Sequence, residues 1–279
     1  MDNIITTEHI DAYCLSLLAD ERAAGTISKY RHDLTAFALW LDGRAVTKES
    51  ATAWKACLLN RDYAPRTINS MLAAVNGFCR FAGLPIKLKF LSIQRQIFRD
   101  SAKELTKEEY DRLLTAARES GQERLALIME TLCATGIRVS ELRYITVEAA
   151  KAGRATITLK GKIRTILLPA KLCRKLSKYA KKQKIASGAI FRTKSGKSIT
   201  RRQVWYELKR LCKAAGVEPT KVFPHNLRHL FATTFYRACR DIVRLADMLG
   251  HSSIDTTRIY LMVSGAEQQR QLDRLGLVS

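Results

Sequence analysis

Six side chains between residues 138 and 260 of this 279-residue chain have the types and order that phosphodiester chemistry needs. Arg138 lies in Ala134-Thr135-Gly136-Ile137-Arg138-Val139-Ser140-Glu141-Leu142, and Lys160 opens the basic stretch Lys160-Gly161-Lys162-Ile163-Arg164. His225 and Arg228 follow in Pro224-His225-Asn226-Leu227-Arg228-His229, three apart and so on one face of a helix. His251 comes directly after Leu249-Gly250, and Tyr260 stands nine residues further on. An arginine fork pairs with phosphate oxygens, so two of them can hold a phosphate and offset the charge that grows in its transition state. Histidine can relay the nucleophile's proton, lysine can protonate a departing alkoxide, and tyrosine can attack phosphorus to form a covalent ester. No carboxylate or Cys/His ligand cluster accompanies the arginines, so the expected chemistry uses no metal and no cofactor. Each residue alone also has an ordinary role: surface ion pairs for the arginines, a helix cap or turn for the histidines, packing for Tyr260. The ordered combination is what points to chemistry.

The charge balance names the substrate class. Forty-eight Lys and Arg against 26 Asp and Glu give a formal +22, which makes a polyanion the expected partner and argues against an enzyme of neutral metabolites. The excess is concentrated: Lys160 to Lys221 holds nineteen Lys and Arg against Glu207 and Glu218, interrupted by Tyr179, Phe191, Trp205 and Tyr206, which reads as a phosphate-facing surface. Seven scattered cysteines form no CxxC pair, so neither a zinc site nor a disulfide framework is expected. No apolar run is long enough to span a bilayer, and the N-terminus lacks the basic and apolar regions of a secretion signal. These features suggest a reduced, cytoplasmic protein.

The elements that must position these residues fall into two groups, mainly α with a small antiparallel β-sheet. Residues 1–90 predict four helices: apolar faces run through Ile10, Tyr13, Cys14 and Leu17, then Ile27, Tyr30, Leu34, Phe37 and Leu41 with Thr26 as N-cap. Ala51, Trp54 and Leu58 mark the third, and Pro65 opens a fourth carrying Ile68, Met71, Leu72, Val75 and Phe78. Beyond residue 84 the period is lost, and the stretch to about 103, with 91–103 as its core, reads as a basic linker. A second domain, 104–279, opens on the capping box Thr106-Lys107-Glu108-Glu109. It continues through an apolar helix at Leu125–Cys133 and a hairpin whose strands, 155–159 and 165–168, flank a basic turn over 160–164. From Lys171 on, the pattern is helical.

Taken together, Arg138 in ATGIRVSEL, the hairpin lysine, HNLRH at 225–229, LGH at 249–251 and Tyr260 resemble the tyrosine recombinase (phage integrase) family. The resemblance covers nearly the whole chain, with residues 1–90 similar to the family's helical core-binding (SAM-like) domain and Arg66-Thr67-Ile68-Asn69 in the typical place before its last helix. It implies a site-specific DNA recombinase that closes on duplex DNA as a C-shaped clamp and passes through a 3′-phosphotyrosine intermediate, with Tyr260 as nucleophile. Arg138 and Arg228 would clamp the phosphate, His225 and His251 would bond it and assist proton transfer, and Glu141 would brace the site. His229 reads as structural. The family's hairpin often runs Gly-Lys-Gly-x-Lys-x-Arg, about one residue longer than here, so Lys160 aligns with the general acid while Lys162 remains a rival.

The implied partners are double-stranded DNA with paired recognition sites and three further copies of the chain in a tetramer, with a second recombinase as a further candidate. The chain begins directly at the core-binding-like domain, which makes it resemble the simple Xer-type members. The tail, Ser264–Ser279, carries Leu272, Leu275, Leu277 and Val278 and would dock on a neighbouring protomer. Two other readings use the same residues: a type IB topoisomerase-like relaxing enzyme, and a catalytically idle DNA-binding protein on the same fold.

Overall fold

A computed structural model describes residues 3–94, 101–159, 162–193, 195–260, 268–270 and 273–275. Lys160 and most of the tail segment Ser264–Ser279 lie outside the described residues. The chain is mostly helical with one two-stranded antiparallel sheet, and it divides into two compact units, Met1–Arg95 and Gln96–Ser279. Among the described residues no helix is long and apolar enough to cross a membrane.

The first unit is built from α1 (Thr7–Ala19), α2 (Ala24–Leu41), α3 (Lys48–Asn60) and α4 (Pro65–Phe81). Capping boxes start α1 (Thr6 with His9) and α3 (Thr47 with Ser50), and Pro65 occupies the first turn of α4, where its missing N–H costs nothing. The apolar faces meet in a core of Leu34, Phe37, Leu41, Trp54, Ile68, Leu72 and Val75, with the Phe37 and Trp54 rings 4.6 Å apart. Two expectations change here. The cap of α2 is Ala23, not Thr26: the chain reverses at Glu21 (φ 56°), and Thr26 sits in the first turn with its N–H donating to the Ala23 carbonyl at 2.8 Å. The aperiodic stretch after residue 84 is not a free linker at its start. The Asn76 amide exchanges two hydrogen bonds with the Leu88 backbone (2.7 and 2.9 Å), and Asn69 does the same for Leu91 (2.8 and 2.9 Å). Leu88 is thereby buried against the helices as an extended strap.

The second unit is organised around α6 (Glu123–Thr135), buried on almost every side by α5 (Lys107–Glu119), α8 (Ala170–Lys182) and α10 (Pro224–Cys239). The capping box expected at Thr106 forms, with Glu109 N–H donating to the threonine hydroxyl at 3.2 Å and Thr106 N–H to the Glu109 carboxylate at 2.9 Å. A short helix, α7 (Val147–Ala152), leads into β1 (Arg154–Leu159), which pairs with β2 (Lys162–Leu167). The hairpin is tighter than its composition suggests. Leu159 pairs with Lys162, so only Lys160 and Gly161 connect the strands, and Lys162, Ile163 and Arg164 belong to β2. Alternation explains it: Ile166 and, just beyond the strand, Leu168 are buried on the inward face that Arg164 shares, whereas Ile163 and Leu167 are more than 70% exposed. The unit is completed by α9 (Arg201–Ala215), which packs on α5, and by α11 (Ile242–Leu249) and α12 (Ile254–Arg258).

Candidate active site

The site forms where α6 and α11 end and α10 begins. Gly136 closes α6 at φ 64°, and a Cβ there would stand 2.3 Å from the Phe231 ring, so only glycine fits this turn. The turn drives Ile137 into the core and brings Arg138 to the start of a 3-10 turn, Val139–Tyr144. Glu141, 1% exposed, accepts from the Arg138 backbone N–H (2.7 Å), from Arg138 Nη1 (3.2 Å) and from Arg164 Nη2 (2.7 Å). A carboxylate this deep is tolerable because all its partners are charged or backbone donors. Among the described residues no group of three His, Cys, Asp or Glu side chains converges as a metal site.

Arg228, on the first turns of α10, is 3% exposed. Its Nη1 donates to the Gly136 carbonyl at 2.6 Å and its Nη2 to the Leu249 carbonyl at 2.8 Å. Both oxygens are carbonyls at helix C-termini, where the peptide dipoles leave partial negative charge, and this compensates part of the desolvation of the buried cation. Burial, and then the nearby Arg138 cation, still depress its pKa to about 10, against a favourable contact with the Tyr260 hydroxyl. The side chain remains charged at neutral pH.

The two histidines are held neutral by the same surroundings. His251 follows Gly250, the αL residue that ends α11, and its Nε2 lies 2.9 Å from Arg228 Nη2. Because arginine can only donate, Nε2 accepts, and Nδ1 carries the proton it gives to the Thr257 hydroxyl at 2.9 Å. Burial, followed by Arg228, Arg138 and Arg164, lowers the His251 pKa to about 4. His225 stands at the first turn of α10 with an exposed face, and its pKa is lowered by partial desolvation and then by Arg228, Arg201 and Arg138.

Tyr260 sits just past α12, its N–H bonded to the Thr257 carbonyl at 3.0 Å, and is 3% exposed. Its ring stacks on His251 (centroids 6.1 Å, 11°) and takes the edge of His229 at 5.0 Å. His229 also approaches Glu104 at 3.7 Å. A cleft of about 500 Å³ gathers Arg138, His225, Arg228, His251 and Tyr260, with Arg201 on its rim and Trp205 and Phe223 on its apolar wall. Tyr236 does not line it and packs against the small apolar cluster of Phe231, Ala232, Leu245, Leu249 and Tyr260. Lys160 is outside the described residues; Lys162 lies on β2, its side chain likewise undescribed.

Three contributors carried no role in the sequence reading. Arg164 was visible only as the end of the basic stretch, although its place two residues before Ile166 on an alternating strand is a signal that it points inward. Thr257 is fully buried and orients His251, and Arg201 presents a cation to the cleft. The arrangement can do one thing well. The three guanidinium groups that line the cleft, those of Arg138, Arg201 and Arg228, leave a surplus of positive charge around a phenol and two neutral imidazoles, which suits the binding and displacement of a phosphate.

Comparison with known proteins gives the same direction. Residues 103–267 match the phage integrase family, and residues 10–83 match the phage integrase N-terminal SAM-like domain. The chain is 33% identical over 279 residues to the tyrosine recombinase XerC of Roseiflexus castenholzii, covering 91% of this chain and 88% of that one. It is 28% identical over 285 residues to the tyrosine recombinase XerA of Pyrococcus furiosus, covering 99% and 97%. A crystal structure of a lambda integrase tetramer bound to a Holliday junction shares the fold, with a TM-score of 0.73 at 19% identity over 93% of this chain and 78% of that one.

Proposed function

The chain belongs to the phage integrase family of tyrosine recombinases, and on that premise we propose that Tyr260 is the nucleophile with which it breaks and rejoins DNA. It is a site-specific DNA recombinase. The observation that carries the assignment is the meeting of Tyr260 with buried Arg228 and neutral His251 on one cleft, with Arg138 and His225 facing the same space.

In the proposed reaction Arg138 and Arg228 grip the non-bridging oxygens of the scissile phosphate, and the added negative charge relieves the mutual repulsion of the arginines. The Tyr260 oxygen attacks phosphorus, and its proton passes to a neutral imidazole. His225 is the better placed acceptor because His251 Nε2 already accepts from Arg228. The bond from phosphorus to the 5′-oxygen breaks, its electron pair stays on that oxygen, and the oxygen takes a proton from Lys160. The products are a 3′-phosphotyrosine and a free 5′-hydroxyl. A 5′-hydroxyl from the partner strand then attacks the phosphotyrosine and releases Tyr260. One phosphodiester is exchanged for another at each step, so the reaction needs neither ATP nor a metal.

The helical residues 1–90 are read as a second DNA-binding domain, joined by 91–103 to a catalytic domain over 104–279. The partner is double-stranded DNA with paired sites, held by a tetramer of this chain in the cytoplasm, where the tail Ser264–Ser279 would link protomers. A type IB relaxing enzyme shares the chemistry, but the family match over both units favours recombination. The test is Tyr260→Phe on a nicked suicide substrate. Only a hydroxyl is lost, so DNA affinity should persist while the covalent adduct disappears; an SDS-resistant adduct from the variant would overturn the assignment.

A further inference from the structure

The hairpin that carries the proposed general acid is a two-stranded ribbon, an element with little independent stability. Something must hold it over the site, and Arg164 is the residue built to do so. Its Cα pairs across the ladder with Ile157, a buried residue, and its side chain is 15% exposed. The guanidinium bonds to structures from two other parts of the site. Nη2 pairs with Glu141, the carboxylate that also holds Arg138, and Nη1 donates to the Met248 carbonyl at 3.2 Å near the end of α11. It lies so close over the residue before His251 that a Cβ on Gly250 would meet Nη1 at 2.2 Å and Cδ at 2.7 Å. Gly250 is also at φ 64°, so the contact and the turn both require glycine. The neighbouring strand is anchored at one more point, where the Tyr144 hydroxyl donates to the Thr158 carbonyl.

The register turns this anchor into a placement. The connection begins beyond Lys162, two residues or about 7 Å of strand from Arg164. With Lys160 and Gly161 in that connection, the lysine stands four residues of chain from the anchored arginine. We propose that Arg164 is a positioning residue for leaving-group protonation: by tying β2 to Glu141 and to the Met248 carbonyl, it fixes the hairpin so that its lysine can reach the 5′-oxygen. This rests on the reading of Lys160 as general acid. When the bond from phosphorus to the 5′-oxygen breaks, the electron pair stays on oxygen and the lysine supplies the proton. An arginine that only neutralised charge near the phosphate would act on both the natural and a modified substrate alike.

That difference is measurable. Full-length Arg164→Gln and Arg164→Lys are compared with wild type, Lys160→Ala and Lys162→Ala in single-turnover formation of the covalent complex. Two DNAs are used: one with the natural 5′-oxygen at the scissile phosphate, one with bridging sulfur there. A thiolate leaves without a proton, since thiols ionise far more readily than alcohols. Both Arg164 variants should bind DNA as wild type does and cleave the oxygen substrate at least about 100-fold more slowly, the scale of general acid catalysis. On the sulfur substrate they should approach the wild-type rate, as Lys160→Ala should. Equal slowing on both substrates would show that Arg164 serves the phosphate or the nucleophile, and wild-type rates on oxygen would show that it places nothing; either result overturns the inference. If Lys160→Ala is rescued by sulfur and the Arg164 variants are not, the inference fails while the general-acid reading stands. If sulfur rescues neither Lys160→Ala nor Lys162→Ala, the general-acid reading fails and takes the inference with it. Arg164→Lys keeps the charge opposite Glu141 but cannot span to the Met248 carbonyl as well, so it decides the matter should Arg164→Gln misfold.

Discussion

Acid should weaken the second unit chiefly through one imidazole, that of His251. His251 is neutral in the folded chain with a pKa of about 4, because it is withdrawn from water and faces Arg228, Arg138 and Arg164. In an unfolded chain a histidine titrates near 6.5. Between those values the unfolded state binds the extra proton and the folded state does not, so stability is complete above pH 6.5 and is lost as pH falls toward 4. The gap corresponds to roughly 3 kcal/mol in full at 1.36 kcal/mol per pH unit, of which about 2 kcal/mol disappears between pH 7 and pH 5. His225, also depressed, adds in the same direction. The effect of His251 is isolated by His251→Gln, which keeps an acceptor for Arg228 and has no proton to gain. Urea denaturation of both proteins at pH 7 and pH 5, with the histidine ring resonances titrated alongside, gives the comparison. Wild type should lose about 2 kcal/mol more than the variant over this interval. Adding cognate DNA should raise the His251 pKa, because a phosphate places negative charge among the arginines that depress it. Parallel pH dependences in the two proteins, or a His251 resonance titrating near 6.5 in free protein, would refute the electrostatic description of the site.

Two further outcomes follow from particular contacts. Asn76→Ala leaves the Leu88 N–H and carbonyl without their side-chain partner, and should lower the stability of the first unit by about 1–3 kcal/mol in thermal or urea melts; an unchanged melt would mean that the strap holds without it. Arg201, on the rim of the cleft, should contact backbone phosphate. Arg201→Ala should therefore weaken binding evenly across DNA sequences and reduce the slope of log affinity against log salt by about 1, and an unaltered slope would remove it from the interface.

The parts of the fold that were legible in the sequence are those written in local periodicity. The Thr106 capping box, Pro65 at a helix start and the apolar stripes of α1 to α4 are contacts between residues a few positions apart, so spacing alone reveals them. The strap after residue 84 was not legible, because what orders it is a pair of asparagine side chains 12 and 22 residues away that could as well have faced water. Composition alone makes the hairpin turn too long, because Lys162 and Arg164 look like loop residues. Only the buried partner Glu141 makes an inward arginine affordable at that strand position. The candidate site shows the same division. The residue types and their order suggested phosphoryl transfer, whereas the Nδ1–H form of His251, the compensation of Arg228 by two helix ends and the bracing by Thr257 and Arg164 are three-dimensional relations with no sequence signature.

The central claim is that one tyrosine of the nine in the chain becomes joined to DNA. Wild-type protein is allowed to cleave a nicked suicide substrate, the covalent complex is digested with protease and nuclease, and the peptide bearing the residual nucleotide is sequenced by mass spectrometry. The account predicts a single modified peptide with the nucleotide on Tyr260, attached through a 3′-phosphate. A nucleotide mapped to Tyr236 or to any other tyrosine, or a 5′-phosphate linkage, would contradict it.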